Sequence, residues 1–129
     1  MPVFNDNIKT LAKANTDFRR EILTNAHSQV VLMCLQPGEE IGEEIHAGND
    51  QLLVLVKGEG ELRIDGVATA VGKGSLVSVP AGTRHNLVNT GDKPIRLYTV
   101  YAPPETAPGT VHATWVEAMA AEHAQASIA

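Results

Sequence analysis

The stretch GSLVSVPAGTRHNLVN, residues 74–89, constrains the fold of this chain more than any other. Pro80 ends a short strand there, because proline has no N–H to donate to a further ladder hydrogen bond. The residues after it have type II turn chemistry, in which Gly82 supplies the positive φ that the turn needs. A second strand then begins at His85. The pattern therefore predicts two strands joined by a rigid turn, which holds the imidazole in a defined direction.

Other short strand patterns follow one another between Gly, Pro, Asn and Asp turns, which is typical of an all-β sandwich or barrel. One is a hairpin with Asp65-Gly66 at its tip. Two strands, with apolar runs at residues 30–35 and 52–56, are apolar on both faces, so neither face is expected to meet water. One face fills a barrel. The other requires a second sheet, the C-terminal helix or another subunit, and we therefore expect a homodimer.

The length of 129 residues suits one domain, and we expect three parts within residues 1–129. Residues 1–17 form an N-terminal arm with a weak helical pattern after Asn7, and residues 18–102 form the β-barrel core. Residues 103–129 form a proline-rich loop and a short helix. Thr114 and Glu117 make a capping box at the start of that helix. Its Trp115–Met119 face is expected to pack on the outside of the barrel.

Composition excludes several classes of partner. The net charge is −5 and the basic residues do not cluster beyond one Arg-Arg pair, so we expect no nucleic acid partner. No apolar run approaches the roughly 20 residues of a membrane span, and the first residues lack the features of a signal peptide. The lone Cys34 cannot form an internal disulfide, which favours a cytoplasmic location, and its apolar neighbours predict a buried thiol.

The 74–89 stretch resembles the second conserved motif of the cupins, which are small metal-binding β-barrel proteins of the double-sheet jelly-roll kind. The matching positions, with the motif's spacing, are Gly74, Pro80, Gly82, His85 and Asn89. The resemblance implies an all-β jelly-roll barrel with a short C-terminal helix. It also implies a metal site to which His85 contributes, but it does not select a reaction.

The first cupin motif is matched in spacing by PGEEIGEEIHAGNDQLLVLVKGEGEL, with two of its ligand types changed. Aligned on His46, the motif places Glu44 at the position of its first histidine and Gln51 at the position of its glutamate. Glu44 and His46 are two residues apart, so on a strand both point into the barrel while Glu43 points out. The resemblance thus implies that Glu44, His46, Gln51 and His85 bind the metal.

The implied ligand set keeps a formal charge of −1, the same as the usual three imidazoles and one carboxylate. Nitrogen and oxygen ligands without a thiolate favour one divalent ion of Mn, Fe, Ni, Co or Zn over Cu(I). Two functions remain open: a metalloenzyme acting on a small polar substrate, and a non-catalytic module that binds a small molecule. Two further side chains, Tyr101 and His112, either face the barrel interior or do not, and the sequence leaves both alternatives open.

Overall fold

The computed structural model describes the backbone of residues 3–128 and the side chains of residues 3–123. The outermost positions of the expected domain, residues 1, 2 and 129, lie outside the described residues. The elements in chain order are α1 Ile8–Ala14, β1 Arg19–Thr24, β2 Gln29–Leu35, β3 Asp50–Lys57, β4 Glu59–Ile64, β5 Val67–Gly72, β6 Leu76–Val79, β7 His85–Val88, β8 Ile95–Ala102, β9 Val111–His112 and α2 Trp115–Ile128.

The strands form two antiparallel sheets that enclose one core. The large sheet has the strand order β6-β3-β8-β2-β1-β9, and the small sheet has the order β5-β4-β7. A single cluster of buried side chains joins them, with Leu53 and Leu97 from the large sheet and Leu87 from the small one. This is the predicted all-β double-sheet jelly roll with a C-terminal helix.

The outer face of the large sheet is covered in part by α1. Ala12 of this helix is fully buried and packs in one cluster with Leu32 and Val56 from β2 and β3. The helix begins where the sequence predicts, because the side chain of Asn7 accepts a hydrogen bond from Thr10 N at 2.9 Å. The cover expected from a second sheet, the C-terminal helix or another subunit is therefore supplied here by the N-terminal arm.

The C-terminal helix packs differently from the expectation. Its predicted capping box forms, since Glu117 N donates to Thr114 Oγ1 at 3.1 Å. However, Ala118 is fully buried in the core cluster between the sheets, and Trp115 Nε1 donates to the carbonyl of Glu40 at 3.0 Å. The helix thus closes the interior of the sandwich instead of lying on its outer surface. Within the described part of the chain, no helix combines the length and apolar character needed to cross a membrane.

Local predictions made from single residues agree with the structure. Asp65 and Gly66 both have positive φ at the tip of the β4–β5 hairpin. Gly82 has a φ of +84°, and Thr83 N donates to the carbonyl of Pro80 across the predicted turn. The Cys34 thiol is buried, and this burial raises its pKa.

The segment before β3 carries two of the expected ligands, but it is not a regular strand. It runs beside β7 through isolated bridges, and at one of them Glu44 and His85 exchange backbone hydrogen bonds of 2.8 and 2.9 Å. Exposure still alternates as predicted: Glu43 is exposed, whereas Glu44 and His46 are half-buried. The bridge therefore brings the two motifs together, and alternation sends the expected ligand side chains inward.

Candidate metal centre

Three side chains that could hold a metal converge between the two sheets. Glu44, His46 and His85 each offer one ligand atom, and these atoms lie within 4.8 Å of one another. Within this group, Glu44 Oε2 and His46 Nε2 are 2.5 Å apart. These are three of the four residues that the motif alignment selects, and together they form a potential metal-binding group.

His85 is held by the turn that precedes β7. Its Nδ1 lies 2.9 Å from the carbonyl of Thr83, and its Nε2 lies 2.8 Å from Gln51 Oε1. The turn itself is held from the far side, since Asp50 accepts a hydrogen bond from Ala81 N at 2.9 Å. The imidazole is 3% exposed, so its direction is set by the backbone on one side and by Gln51 on the other.

Gln51, the fourth expected ligand, lies at the start of β3 with its amide orientation set by its neighbours. Thr99 Oγ1 donates to the carbonyl of Leu52, so it can only accept from Gln51 Nε2, which is 3.0 Å away. The same Nε2 donates to the hydroxyl oxygen of Tyr101 at 3.3 Å. The carbonyl oxygen of Gln51 is therefore the atom that faces His85.

The contact between Gln51 and His85 joins two atoms that carry lone pairs. A neutral imidazole has one N–H, and both neighbours of the His85 ring, the Thr83 carbonyl and Gln51 Oε1, can only accept, so one ring nitrogen faces an acceptor without a proton. When the proton is on Nδ1, Nε2 presents its lone pair toward Gln51 Oε1. A cation placed between them satisfies both atoms, and a backbone carbonyl on the other ring nitrogen is the usual support of a metal-bound histidine.

Both ring nitrogens of His46 also face oxygen atoms. Its Nδ1 is 3.4 Å from Glu105 Oε1, on the outer side of the ring. Its Nε2 is buried and lies 2.5 Å from Glu44 Oε2, so the two side chains form a close ion pair when the ring is protonated. The Glu44 carboxylate raises the pKa of His46, and burial opposes this effect. The position thus attracts positive charge.

The four expected ligand side chains suit a divalent metal ion. Glu44 and Gln51 turn oxygen atoms inward, and the Nε2 atoms of His46 and His85 lie beside them at 2.5 and 2.8 Å. Both imidazoles turn their Nδ1 atoms outward to oxygen acceptors. Carboxylate, amide and imidazole ligands gathered in one buried place suit a divalent transition metal ion.

Two residues near the site have no counterpart in the sequence prediction, namely Glu105 and Gln29. Gln29 is fully buried, and its Oε1 accepts from the backbone N–H groups of Glu105 and Thr106 at 3.1 and 2.8 Å. Its Nε2 donates to the carbonyl of Thr106. Gln29 thereby holds the loop that presents Glu105 to His46. The clue available in the sequence was one amide at the start of an otherwise apolar strand.

A cavity of about 390 Å³ opens beside the centre. Its walls include Glu44 and His46, together with Tyr101 and His112, so both undecided side chains face inward. Burial raises the pKa of Tyr101 far above its usual range, so its hydroxyl stays neutral. Arg84 points away from the cavity and pairs with exposed Glu43 at 2.8 Å, as expected for the opposite face of the strand.

Known proteins share this sequence and this fold. The model of the family described as Cupin domain matches residues 31–101. The uncharacterized protein YrkC of Bacillus subtilis is 43% identical over 122 residues, which are 90% of this chain and 66% of that protein's length. The tetracenomycin polyketide synthase protein TcmJ of Streptomyces glaucescens is 30% identical over 69 residues, which are 54% of this chain and 46% of that protein.

Among solved structures, the crystal structure of BH2720 from Bacillus halodurans is 42% identical to this chain. The similarity covers 91% of this chain and 93% of that one, with a TM-score of 0.88. The family match spans more than half of the chain, and the fold agrees over nearly its whole length. The chain therefore belongs to the cupin family.

Proposed function

We propose that this chain is a metal-dependent cupin enzyme that acts on a small polar substrate. One divalent ion of Mn, Fe, Ni, Co or Zn is held by Glu44, His46, Gln51 and His85. The observation that carries the proposal is the convergence of Glu44, His46 and His85, whose ligand atoms lie within 4.8 Å of one another. A carboxylate and two imidazoles held this close together are ligands that a divalent transition metal ion prefers.

The electrostatics of the ligand set support a divalent ion. Glu44 supplies one negative charge, and the other three ligands add neutral donor atoms beside it. Thiolates are absent, because Cys34 lies buried in β2 and outside the group. A hard or borderline divalent ion is therefore preferred over Cu(I).

The four ligand side chains differ in solvent exposure. The more exposed ligands define the side from which a substrate approaches. The side chains of His46 and Glu44 are 11% and 20% exposed, whereas His85 and Gln51 are sealed behind them. When bound, the metal would supply Lewis-acid chemistry at this open side. Tyr101 lies on the same wall and stays neutral, so its hydroxyl can hydrogen-bond a polar substrate group without adding charge. The named role of TcmJ in polyketide synthesis supports an organic substrate.

Metal analysis of protein purified without a histidine tag tests the proposal directly. We expect about one equivalent of a transition metal per chain, and turnover only in metal-loaded protein. Metal-free protein that retains an organic molecule in the cavity would instead support the non-catalytic binding module.

Removing the metal is expected to destabilise the fold by mass action. At a hundredfold excess of metal over its Kd the bound ion stabilises the native state by about 2.7 kcal/mol. Exhaustive chelation should therefore lower Tm by about 10 °C for a domain of this size, measured by scanning calorimetry. The His85→Ala variant provides the comparison, because chelation should leave its Tm unchanged. An unchanged Tm in the unsubstituted protein would argue against a bound metal.

The proposed assembly is a homodimer formed through the part of the large sheet that α1 leaves open. Leu52 on this face is 37% exposed and Leu76 is 66% exposed, with Val100 in the groove beside Leu52. Extended apolar patches are uncommon on monomers. Sedimentation at micromolar concentration should give twice the monomer mass of 13.7 kDa, and Leu76→Glu should shift the equilibrium toward monomer. A single species at the monomer mass before substitution contradicts the dimer.

A further inference from the structure

The cavity beside the proposed metal centre has a second polar wall, formed by Arg19 and His112. The two residues are directly paired in the β1–β9 ladder, so their side chains lie on the same face of the sheet. Both line the cavity that Glu44 and His46 also line. A molecule long enough to span this space can therefore contact the metal side and the Arg19 side together.

Arg19 is a cation at the cavity wall with most of its hydrogen-bonding capacity unused. The residue is 8% exposed, and its one hydrogen bond to a described residue is from Nη1 to Glu122 Oε1 at 3.2 Å. A guanidinium has five N–H donors in a planar fork that matches a carboxylate. Arg19 lines the cavity, so a molecule bound there can meet its unused donors.

Glu122 marks where a carboxylate can bind, but it holds that position weakly. Its side chain is 44% exposed on α2, and the single contact at 3.2 Å is longer than a good charge-assisted hydrogen bond of about 2.7–2.9 Å. The pair is exposed only at its Glu122 end, where water can solvate the carboxylate. Glu122 can therefore turn toward water and leave Arg19 to another carboxylate.

The charges around the cavity indicate how many negative charges a ligand brings. Glu44, Glu105 and Glu122 contribute three negative charges, and Arg19 with a divalent ion contributes three positive charges. The wall is neutral while Glu122 is in place. When Glu122 turns out, one positive charge remains, which a single carboxylate neutralises.

We propose that Arg19 is a specificity-determining residue that binds the carboxylate of a small organic monocarboxylate in place of Glu122, while another oxygen of that molecule faces the metal. His112 supports this position, because its buried Nδ1 has no hydrogen-bond partner among the described residues and belongs to the same wall. The inference rests on the proposed function, since it places the second oxygen of the ligand at the metal.

The test uses metal-loaded protein and three hydroxy acids of increasing length: glycolate, 3-hydroxypropionate and 4-hydroxybutyrate. Their neutral amides serve as matched probes, and affinities are measured by calorimetric titration. We expect at least one acid to bind about tenfold or more tightly than its amide, as for a lost charge-assisted hydrogen bond. Arg19→Gln should abolish this preference. Glu122→Gln should strengthen acid binding, because it removes the competing carboxylate and alters only a half-exposed side chain.

Metal content, measured on every variant, separates this inference from the proposed function. If the purified protein contains no metal, the proposed function is wrong. A chain with metal that binds acids and amides equally, or binds none of them, overturns the role of Arg19. A preference for acids that persists in metal-loaded Arg19→Gln overturns it too, because the carboxylate is then on the metal. Arg19→Lys replaces Arg19→Gln in the test if the latter does not fold. It keeps the positive charge but loses the planar guanidinium, so it should retain only part of the preference for acids.

Discussion

The His46→Ala and His85→Ala variants are expected to lose metal binding, each by more than about a hundredfold in affinity. Changes to groups that merely support a ligand reduce metal affinity about 10–100-fold, so removing an imidazole ligand should exceed that range. Both Nε2 atoms face the shared acceptor cluster, and no other described imidazole is placed to replace them. Metal content after purification and competition with a coloured chelator measure the effect.

The chain offers matched controls for these changes. His27 is exposed in the loop between β1 and β2, so His27→Ala should bind metal normally. Glu44→Gln should lose much of the affinity, because it removes the one formal charge of the ligand set. Glu43→Gln should not, because Glu43 faces solvent and pairs with Arg84. Loss of metal in Glu43→Gln together with retention in Glu44→Gln would show that the assignment of inward and outward side chains is wrong.

Gln51 is expected to behave differently from the other ligands. A neutral amide oxygen is the weakest donor of the four and can be replaced by water, so Gln51→Ala should reduce metal affinity least. The same change should still lower the free energy of unfolding, since it leaves the groups bonded by the Gln51 amide, on Thr99 and Tyr101, without that partner. Gln51→Glu should raise metal affinity through its added charge.

Much of this molecule could be predicted from local rules. The turn at Gly82 and the hairpin at Asp65-Gly66 depend on a few residues with restricted φ, so the sequence predicts them directly. The spacing of the two motifs identified the residues that converge on the centre, even though the Glu44 segment forms only a bridge instead of a strand. Alternation of side chains was enough to predict which of them face inward.

Residues that depend on long-range pairing were not predictable. Arg19 reaches the cavity because β1 pairs with β9, although β9 is only two residues long and follows a proline-rich loop that suggests the end of the sheet. Glu105 reaches His46 because Gln29, 76 positions earlier, binds the backbone of its loop. The cover supplied by α1 was missed because a seven-residue helix carries a weak periodic signal. In each case tertiary contacts decide the outcome.

The second large effect is expected from Gly60→Ala, which should strongly destabilise the fold. An added Cβ there would lie 2.4 Å from the carbonyl oxygen of Val88 and 2.7 Å from Ile95 Cδ1. The first obstacle is backbone of the neighbouring strand, which cannot rotate away. Overpacking of this kind costs about 1–3 kcal/mol and occasionally more, so we expect about 3 kcal/mol and a Tm lowered by about 10 °C. Denaturant unfolding and calorimetry measure both quantities.

Gly48→Ala is the matched control, because Gly48 lies in an exposed turn where an added Cβ meets nothing within 4 Å. It should change the free energy of unfolding by less than about 0.5 kcal/mol, as surface substitutions usually do. Gly60→Ala should also weaken metal binding, because β4 pairs with β7 and aligns Ile64 with His85. If Gly60→Ala unfolds like the unsubstituted protein, β4 and β7 are farther apart than described, and the position of His85 must be revised with them.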